Sequence, residues 1–417
     1  MRPRTLHLTN AWHATSGGIR TFYQALLTEA SRQEREMVLV VPGTASSLEH
    51  RDRWTTIHHV AAAPAPWFDR RYRLLRPRHY LGRRSPVARL LAAFRPGVVE
   101  VCDKYTLLPL AALLRRGWFA EGPRATVVGL SCERMDDNLA AYVRGGRRLR
   151  PFAHAYLRHA YGPSFDRNVA NSDYTADELR HGAGLDEVAV ALPGVDAAGF
   201  GVAARDMAWR AALLRAAGGG DHSVLALYAG RLSPEKHLDR LLHAVSLLAA
   251  APAAPDVRLV VAGDGPQQDA LAALARAVAP GRVQFLGNVA DRARLATLYA
   301  SADVFVHPNP HEPFGIGPLE AMAAGVPVVV AETGGVRSYA NDSNAWLTAD
   351  DPVALAVAIV AAAAGRGDAR VRRAAATAEE FAWPGMARRH FELLDRLHAA
   401  RALARGVTAA PALIDAR

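Results

Sequence analysis

Ser223-Val224-Leu225-Ala226-Leu227-Tyr228-Ala229-Gly230-Arg231-Leu232-Ser233-Pro234-Glu235-Lys236-His237 begins as an apolar run, stops at a glycine and turns into a short loop with two cations. A run of this length and composition reads as a buried strand, and Pro234 suits the opening of a helix. The same unit recurs downstream at Val257–Ala262, Val283–Leu286, Val304–His307 and Val326–Ala331, each followed by a helix-length amphipathic segment. Upstream, comparable runs occur at Thr5–Thr9, Met37–Val41, Ile57–Val60, Val98–Cys102, Ala125–Leu130, Asn168–Asn171 and Val188–Leu192. Apolar strands alternating with helices from one end to the other predict an α/β chain with two Rossmann-like, helix-covered parallel sheets.

The length supports two sheets. A chain of 417 residues exceeds the roughly 250 at which a single core stops growing. The Gly218-Gly219-Gly220 run follows a helix-like piece at Asp206–Ala217, and a boundary in this linker divides the chain into 1–197, 198–382 and a closing segment 383–417. That last segment is an amphipathic stretch from Trp383 to about Arg405, placed to pack back towards the first domain.

Parallel sheets bind ligands beyond the carboxyl ends of their strands, so chemistry is expected just after the apolar runs. Arg231 and Lys236 flank a tight loop there, a spacing that closes on a polyanion such as a diphosphate. Lysine is rare in this chain: Lys104 and Lys236 are its only two. Gly263-Asp264-Gly265-Pro266 follows the next strand; it suits either close approach to a ligand or a tight turn with Asp264 capping the next helix. His311-Glu312-Pro313-Phe314-Gly315-Ile316-Gly317-Pro318-Leu319-Glu320 sets two glutamates on either side of a Pro/Gly loop that leads into a helix start at Pro318. Amides of Phe314, Gly315, Ile316 and Gly317 at that start suit phosphate or sugar oxygens, and Glu320, one turn inside, suits a ribose diol.

Composition narrows the class. The residues are 50% hydrophobic and the net charge is +10. The first 200 residues hold 28 Lys+Arg against 19 Asp+Glu, and the remainder 22 against 21. Nine arginines between Arg70 and Arg95 lie in an acid-free stretch beside Trp67, Phe68, Tyr72 and Tyr80. Trp67–Arg84 therefore reads either as a contact with an anionic membrane surface or a phosphate-bearing partner, or as a solvated arginine-rich face. The N-terminus lacks a secretory signal, and apolar runs such as Ala354–Ala364 fall well short of the roughly 20 residues of a membrane span. Cys102 and Cys132 suit a reducing compartment, giving the expectation of a cytoplasmic protein, peripheral at the inner face of the membrane.

The order Gly230-Arg231-Leu232-x-x-x-Lys236, then Gly263-Asp264-Gly265-Pro266, then Glu312-Pro313-Phe314-Gly315-x-x-x-x-Glu320-Ala321-Met322, then Gly334-Gly335-Val336 resembles the retaining glycosyltransferases of family 4. Gly17-Gly18-Ile19 after the first strand, Asn171-Ser172 with Thr175, and Pro193-Gly194-Val195-Asp196 are similar to further landmarks of that family. The resemblance implies a GT-B fold, in which two Rossmann-like domains face each other across a cleft. It implies that Arg231 and Lys236 neutralise the diphosphate of a nucleotide sugar, that Glu320 holds the ribose, and that Glu312 with the amides of 314–317 meets the donor sugar and β-phosphate. Gly17 and Gly18 approach that phosphate from the opposite domain, Gly263 borders the donor, and Val289, in Gly287-Asn288-Val289, neighbours the base. The family is metal-independent, so no metal or cofactor is expected beyond the nucleotide sugar as co-substrate.

The acceptor side departs from the family. Histidines usual after the strands ending at Cys102 and Leu130 are replaced by Cys102-Asp103-Lys104-Tyr105 and by Ser131-Cys132-Glu133-Arg134-Met135-Asp136-Asp137. Glu133, Asp136 and Lys104 are open to two readings, as groups orienting an acceptor hydroxyl or the transferred sugar, or as caps and surface charges, with Glu133 the first choice for catalysis. His154, His159 and His181 read as surface or core histidines. The expected activity is hexosyl transfer to a hydroxyl of a lipid, lipid-linked glycan or polysaccharide precursor. A sugar-nucleotide epimerase of the same fold and a basic nucleic-acid-binding protein are the alternatives, the latter without any recognisable nucleic-acid module.

Overall fold

The computed structural model describes residues 2–13, 17–66, 71–119 and 124–404. Eight strands form the first sheet: β1 (Thr5–Thr9), β2 (Met37–Gly43), β3 (Ser47–His50), β4 (Thr55–Ala61), β5 (Val98–Cys102), β6 (Thr126–Ser131), β7 (Arg167–Ala170) and β8 (Val188–Val190). Their spatial order is β3-β4-β2-β1-β5-β6-β7-β8, parallel throughout except for β3, which runs antiparallel to β4. The second sheet holds β9 (Val224–Ala229), β10 (Val257–Ala262), β11 (Val283–Gly287), β12 (Val304–His307), β13 (Val328–Ala331) and β14 (Trp346–Thr348). It is wholly parallel, in the order β11-β10-β9-β12-β13-β14.

Two strands escape the sequence pattern for opposite reasons. β3 is exposed at all four residues and carries no apolar alternation, and β14 is a three-residue edge. The others read clearly because a parallel sheet is covered on both faces, which demands near-continuous apolar runs. β1, β5 and β6 are buried at every residue. Helix Met207–Ala216 packs Leu213 and Leu214 into the second core, with Asp206 capping its first turn through the Trp209 amide.

The closing helix, Trp383–Ala404, crosses back to the first sheet and buries Trp383, Ala387, Phe391 and Leu394 against Phe22, Leu26 and Val128. Its entry runs beside the other interdomain crossing: the Val195 amide donates to the Phe381 carbonyl at 2.9 Å and the Trp383 amide to the Val195 carbonyl at 3.0 Å. Polar contacts then hold the helix in register. Arg35 pairs with Asp395 at 2.5 Å, His398 Nδ1 lies 2.8 Å from Thr126 Oγ1, and Arg401 Nε lies 3.0 Å from Asp166. Among the described residues no single helix is long and apolar enough to cross a membrane.

The most buried of these contacts sets a carboxylate between two imidazoles. Glu100 on β5 is fully buried, with His390 Nε2 of the closing helix 2.7 Å from one carboxylate oxygen and His7 Nδ1 of β1 2.9 Å from the other. Burial alone raises a carboxyl pKa, but the imidazoles of His390 and His7 reverse this and hold Glu100 well below the usual range. The folded pKa is depressed, so the contribution of Glu100 is present above its unfolded value of about 4.3 and is lost as pH falls below it. Replacing His390 with Leu leaves the buried carboxylate with one fewer partner and is expected to destabilise the protein by about 3 kcal/mol near neutrality. Urea melts from pH 7 to pH 3 check this. Glu100→Gln should show a shallower acid limb than the parent, and parallel limbs would refute the assignment.

Candidate active site

Strand order reverses between β9 and β12: successive strands proceed outward from β9 on one side and from β12 on the other. Connections leave in opposite directions there, which opens a crevice at the carboxyl ends of the two strands. The loop after β9 carries Arg231 and Lys236, and the loop after β12 carries Glu312. Lys236 Nζ donates to Glu312 Oε2 at 2.7 Å. Asn309 Nδ2 donates to the same oxygen at 3.0 Å, and His307 Nε2 lies 2.8 Å from it. Burial opposes ionisation of Glu312, but the Lys236 ammonium and then His307 outweigh it and hold the carboxyl well below its ordinary range. Burial likewise works against the Lys236 charge, and Glu312 with Glu235 overcomes it and raises the amine pKa. Both groups are therefore ionised at neutral pH.

Backbone contacts fix the two loops. Leu232 donates its amide to the Asp264 carbonyl at 3.1 Å, and Gly335 donates to the Glu312 carbonyl at 2.6 Å. Gly263, at φ +147°, is required by packing: a Cβ there would lie 1.8 Å from the Gly230 carbonyl oxygen. Its missing side chain thus admits the neighbouring arginine loop. Asp264 does not cap the next helix, whose N-cap is Gln267; its carboxylate instead faces Arg71 of the other domain at 3.4 Å.

The helix after Glu312 begins at Ile316, two residues before the Pro318 start expected from sequence. Gly315 precedes it at φ +83°, a conformation that turns the chain into the helix and that a side chain would strain. Proline is also accommodated at the third helical position, where no intrahelical donor is yet needed. Phe314 is buried against Tyr339 and Phe381, so only its backbone faces the loop. Glu320 lies inside the first turns with Arg292 at 3.9 Å. Burial pushes its carboxyl up to about 7, against the opposing pull of Arg292 and of the Tyr299 hydroxyl. Val289 follows β11 and packs on the edge of the same core.

The first domain meets this crevice across a cleft. A Cβ on Gly18, at the start of helix Gly18–Arg32, would sit 3.2 Å from the Ile316 side chain, so two helix N-termini converge there, and Gly17 has open space beside it. Arg231 lies over the Tyr72 ring at 5.7 Å, with its Nη1 3.4 Å from the Tyr72 hydroxyl. Tyr142 donates to Glu235 at 2.8 Å, Tyr174 Oη lies 3.1 Å from His311 Nδ1, and Asp137 lies 3.3 Å from the same nitrogen.

Beyond β5 and β6 the acceptor-side residues separate into distinct roles. Lys104 is neither a cap nor a surface charge: its ammonium is buried, donating to Glu178 at 2.8 Å and to the Glu133 carbonyl at 2.5 Å. That pairing supports the loop from beneath and leaves the lysine unsuited to meet a substrate. Asp136 is also occupied, by Arg134 at 2.9 Å, Arg150 at 3.3 Å and His154 at 3.4 Å. Glu133 is half-buried and accepts from Asn138 Nδ2 at 2.9 Å, and burial holds its carboxyl above the ordinary value despite Lys104. His181 is exposed beside Asp177 at 2.6 Å.

The Trp67–Arg84 stretch is divided between interior, cleft and surface. Trp67, Phe68 and Arg70 lie outside the described residues. Leu75 and Tyr80 are fully buried, and Arg71 and Tyr72 point across the cleft. Among the described residues of the stretch, Leu81 is exposed beside Arg83 and Arg84, so part of it stays at the surface. His307, Asn309 and Arg292 belong to none of the sequence motifs, and Tyr72 reads there only as an aromatic neighbour of the arginines. His307 ends a strand and so sits where site residues belong, a positional signal that was available; Tyr72 reaches the site only through tertiary folding.

Residues 215–378 match the family described as Glycosyl transferases group 1, and residues 16–198 match Glycosyltransferase Family 4. The chain is 30% identical over 382 residues to a GDP-mannose-dependent alpha-(1-6)-phosphatidylinositol dimannoside mannosyltransferase of Mycobacterium tuberculosis, covering 91% of this chain and 93% of that one. It is 38% identical over 192 residues to a GDP-mannose-dependent alpha-mannosyltransferase of Mycolicibacterium smegmatis, covering 44% of each. Sucrose-phosphate synthase of Thermosynechococcus elongatus superposes with a TM-score of 0.75 at 20% identity, covering 95% of this chain and all of that one. The last likeness places the two facing sheets in the GT-B fold.

Glu320 offers a test of the site's electrostatics without substrate. A carboxyl raised to about 7 favours the folded state while protonated, and that advantage is lost as pH rises from about 4.3 through 7. Glu320→Gln should therefore raise the apoprotein's stability at pH 8 by up to about 3 kcal/mol and leave it nearly unchanged at pH 4.5. Thermal melts at the two pH values check it, and an equal change at both would contradict the ionisation.

Proposed function

Since the chain belongs to glycosyltransferase family 4, we propose that it moves a mannosyl group from GDP-mannose to a hydroxyl of a lipid-linked acceptor, with retention of anomeric configuration. The chain is a glycosyltransferase; the donor, acceptor and stereochemistry are the finer reading. The observation that carries the donor side is the Lys236–Glu312 pair at 2.7 Å in the crevice between β9 and β12, with Arg231 on the same loop. A diphosphate entering there meets two cations and the N-terminus of helix Ile316–Ala323. Amides of Ile316 and Gly317, unsatisfied within the helix, suit its oxygens.

In this reading Arg231 and Lys236 counter the charge that grows on the departing diphosphate, the electrostatic contribution expected to dominate such a transfer, and no resident metal or cofactor is required. As Lys236 turns towards phosphate, Glu312 keeps His307 and Asn309 and presents its free oxygen to the donor sugar. Glu320 accepts from the ribose diol in its ionised form, Val289 borders the base, and Gly17 and Gly18 bring backbone to the phosphate from the opposite domain. Glu133, held by Asn138, orients the acceptor hydroxyl. The mannosyl and lipid assignments are supported by the Mycobacterium tuberculosis relative, whose name specifies GDP-mannose and a phosphatidylinositol dimannoside. A lipid-linked acceptor fits a protein working peripherally at the cytoplasmic side of a membrane.

Lys236→Ala and Glu320→Ala are expected to weaken donor binding at least tenfold and to lower transfer on the order of 10²- to 10³-fold, with the melting temperature of each variant retained within a few degrees. Isothermal titration with GDP and a radiolabelled transfer assay measure both, and full activity in both variants would overturn the site. GDP-mannose should stabilise the protein by about 2.7 kcal/mol at a hundred times its Kd, with UDP- and ADP-sugars at the same concentration giving less. Anomeric proton couplings of the product report retention directly.

A further inference from the structure

The chain holds two cysteines, Cys102 and Cys132, and the fold brings them together. Cys102 is the last residue of β5, and Cys132 follows the last residue of β6, the neighbouring parallel strand. Their sulfurs lie 3.7 Å apart, with the Cys102 thiol donating to Cys132 Sγ, and both cysteines are free thiols. They are 30 positions apart in the chain, so only the packing of the two strand ends makes the pair. These are the strand ends at which the acceptor side departs from family 4.

The two thiols differ in access and in freedom to move. Cys102 is buried and its backbone is fixed: β5 pairs with β1 on one side and β6 on the other, and Thr9 Oγ1 donates to the Cys102 carbonyl at 3.3 Å. The hydrogen bond to Cys132, and then burial, hold the Cys102 thiol well above its usual range, so it stays protonated. Cys132 is half-buried and packs, with Ile19 and Ile316, on the edge of the same core, so it is the thiol an oxidant reaches first. A disulfide bond is about 2.05 Å long, so closing it from 3.7 Å takes a movement of about 1.7 Å. That movement falls on Cys132, which lies beyond the paired residues of β6, and on Glu133 beside it. The Glu133 carbonyl accepts from Lys104 Nζ and from Ser131 Oγ, and its carboxylate accepts from Asn138. Drawing Cys132 inward pulls Glu133 away from the contacts that set it.

We propose that Cys102 and Cys132 form a reversible disulfide with hydrogen peroxide as the oxidant, and that this bond displaces Glu133 and stops transfer while the donor site stays intact. The Cys132 sulfur, as thiolate, attacks one peroxide oxygen; the O–O bond breaks, and the departing hydroxide takes up the proton that the thiol released, giving water. The Cys102 sulfur then attacks the sulfenic acid left on Cys132. Its S–O bond breaks, and the departing hydroxide takes the Cys102 proton as a second water. Two electrons, one from each sulfur, thus reduce one peroxide to two waters. Exchange with external thiols restores the pair. In a reducing compartment such a bond is transient and reports oxidant rather than holding the fold. The effect on transfer rests on the reading of Glu133 as the group that orients the acceptor; formation of the disulfide does not.

Peroxide treatment of the reduced protein, followed by thiol titration in denaturant and intact-mass spectrometry, tests it. Both thiols should disappear, the mass should fall by two hydrogens, and digestion should yield a linked peptide joining Cys102 to Cys132. Transfer should drop on the order of a hundredfold, as for an ångström-scale misplacement, and return with dithiothreitol. GDP-induced thermal stabilisation should be the same in the reduced and oxidised forms. Cys132→Ser should transfer like the parent and lose its sensitivity to peroxide, while Cys102→Ala should leave a sulfenic acid on Cys132 that dimedone captures. Two free thiols after treatment, or disulfides only between chains, overturn the proposal, as does an internal disulfide that leaves transfer undiminished. Loss of the GDP-induced stabilisation on oxidation also overturns it, because the donor site would then have moved. Transfer lost on oxidation but normal in Glu133→Gln upholds the disulfide switch and refutes the role of Glu133. The thiol and linked-peptide readouts need no substrate, so they decide the disulfide even if the GDP-mannose reading fails.

Discussion

One oxygen of Glu312 gathers Lys236, His307 and Asn309 within 3.0 Å, and the donor side of the cleft is organised around that point. A buried carboxylate is tolerated only when its partners replace water. Here they arrive from the end of β12, from the loop beyond it and from the loop after β9, so the charge ties together the two loops that border the crevice. The ammonium that neutralises the carboxylate is also the group that the proposed diphosphate would attract. The pair thus holds a cation in the crevice, while His307 and Asn309 give the carboxylate two further partners.

The second carboxylate of the crevice is treated in the opposite way. Glu320 has Arg292 at 3.9 Å and burial enough to lift its pKa to about 7, so at neutral pH it sits close to the midpoint of its titration. Two glutamates eight residues apart on one loop and helix are therefore shifted in opposite directions, because one has an ammonium in contact and the other has a guanidinium at the limit of an ion pair. A ribose diol donating to Glu320 would favour its ionised form. Local instability at such a position is usual where a ligand is meant to complete the hydrogen bonding.

The cleft itself depends on a contact far from it. The closing helix returns from the second sheet to the first and places His390 against Glu100, while the Val195 and Trp383 backbones join the two crossings. Tyr72, Tyr142 and Tyr174 then bridge the gap to Arg231, Glu235 and His311. Tyrosine suits these positions, since its ring packs on one domain and its hydroxyl reaches the other.

The sequence by itself determined the strand-rich halves, the loops that carry Arg231, Lys236, Glu312 and Glu320, and a basic first half. These were legible because a doubly covered parallel sheet requires apolar runs and puts its ligand loops directly after them. It could not distinguish Asp264 as a cross-domain partner from a helix cap, or Lys104 as a buried ion pair from a substrate contact, since both choices share the same local pattern. Nor could it show that Leu75 and Tyr80 turn inward while Phe152 stays exposed. Those outcomes were decided by tertiary structure, because burial and pairing depend on which elements pack together, and residues such as His390 and Glu100 are 290 positions apart in the chain yet share one hydrogen bond.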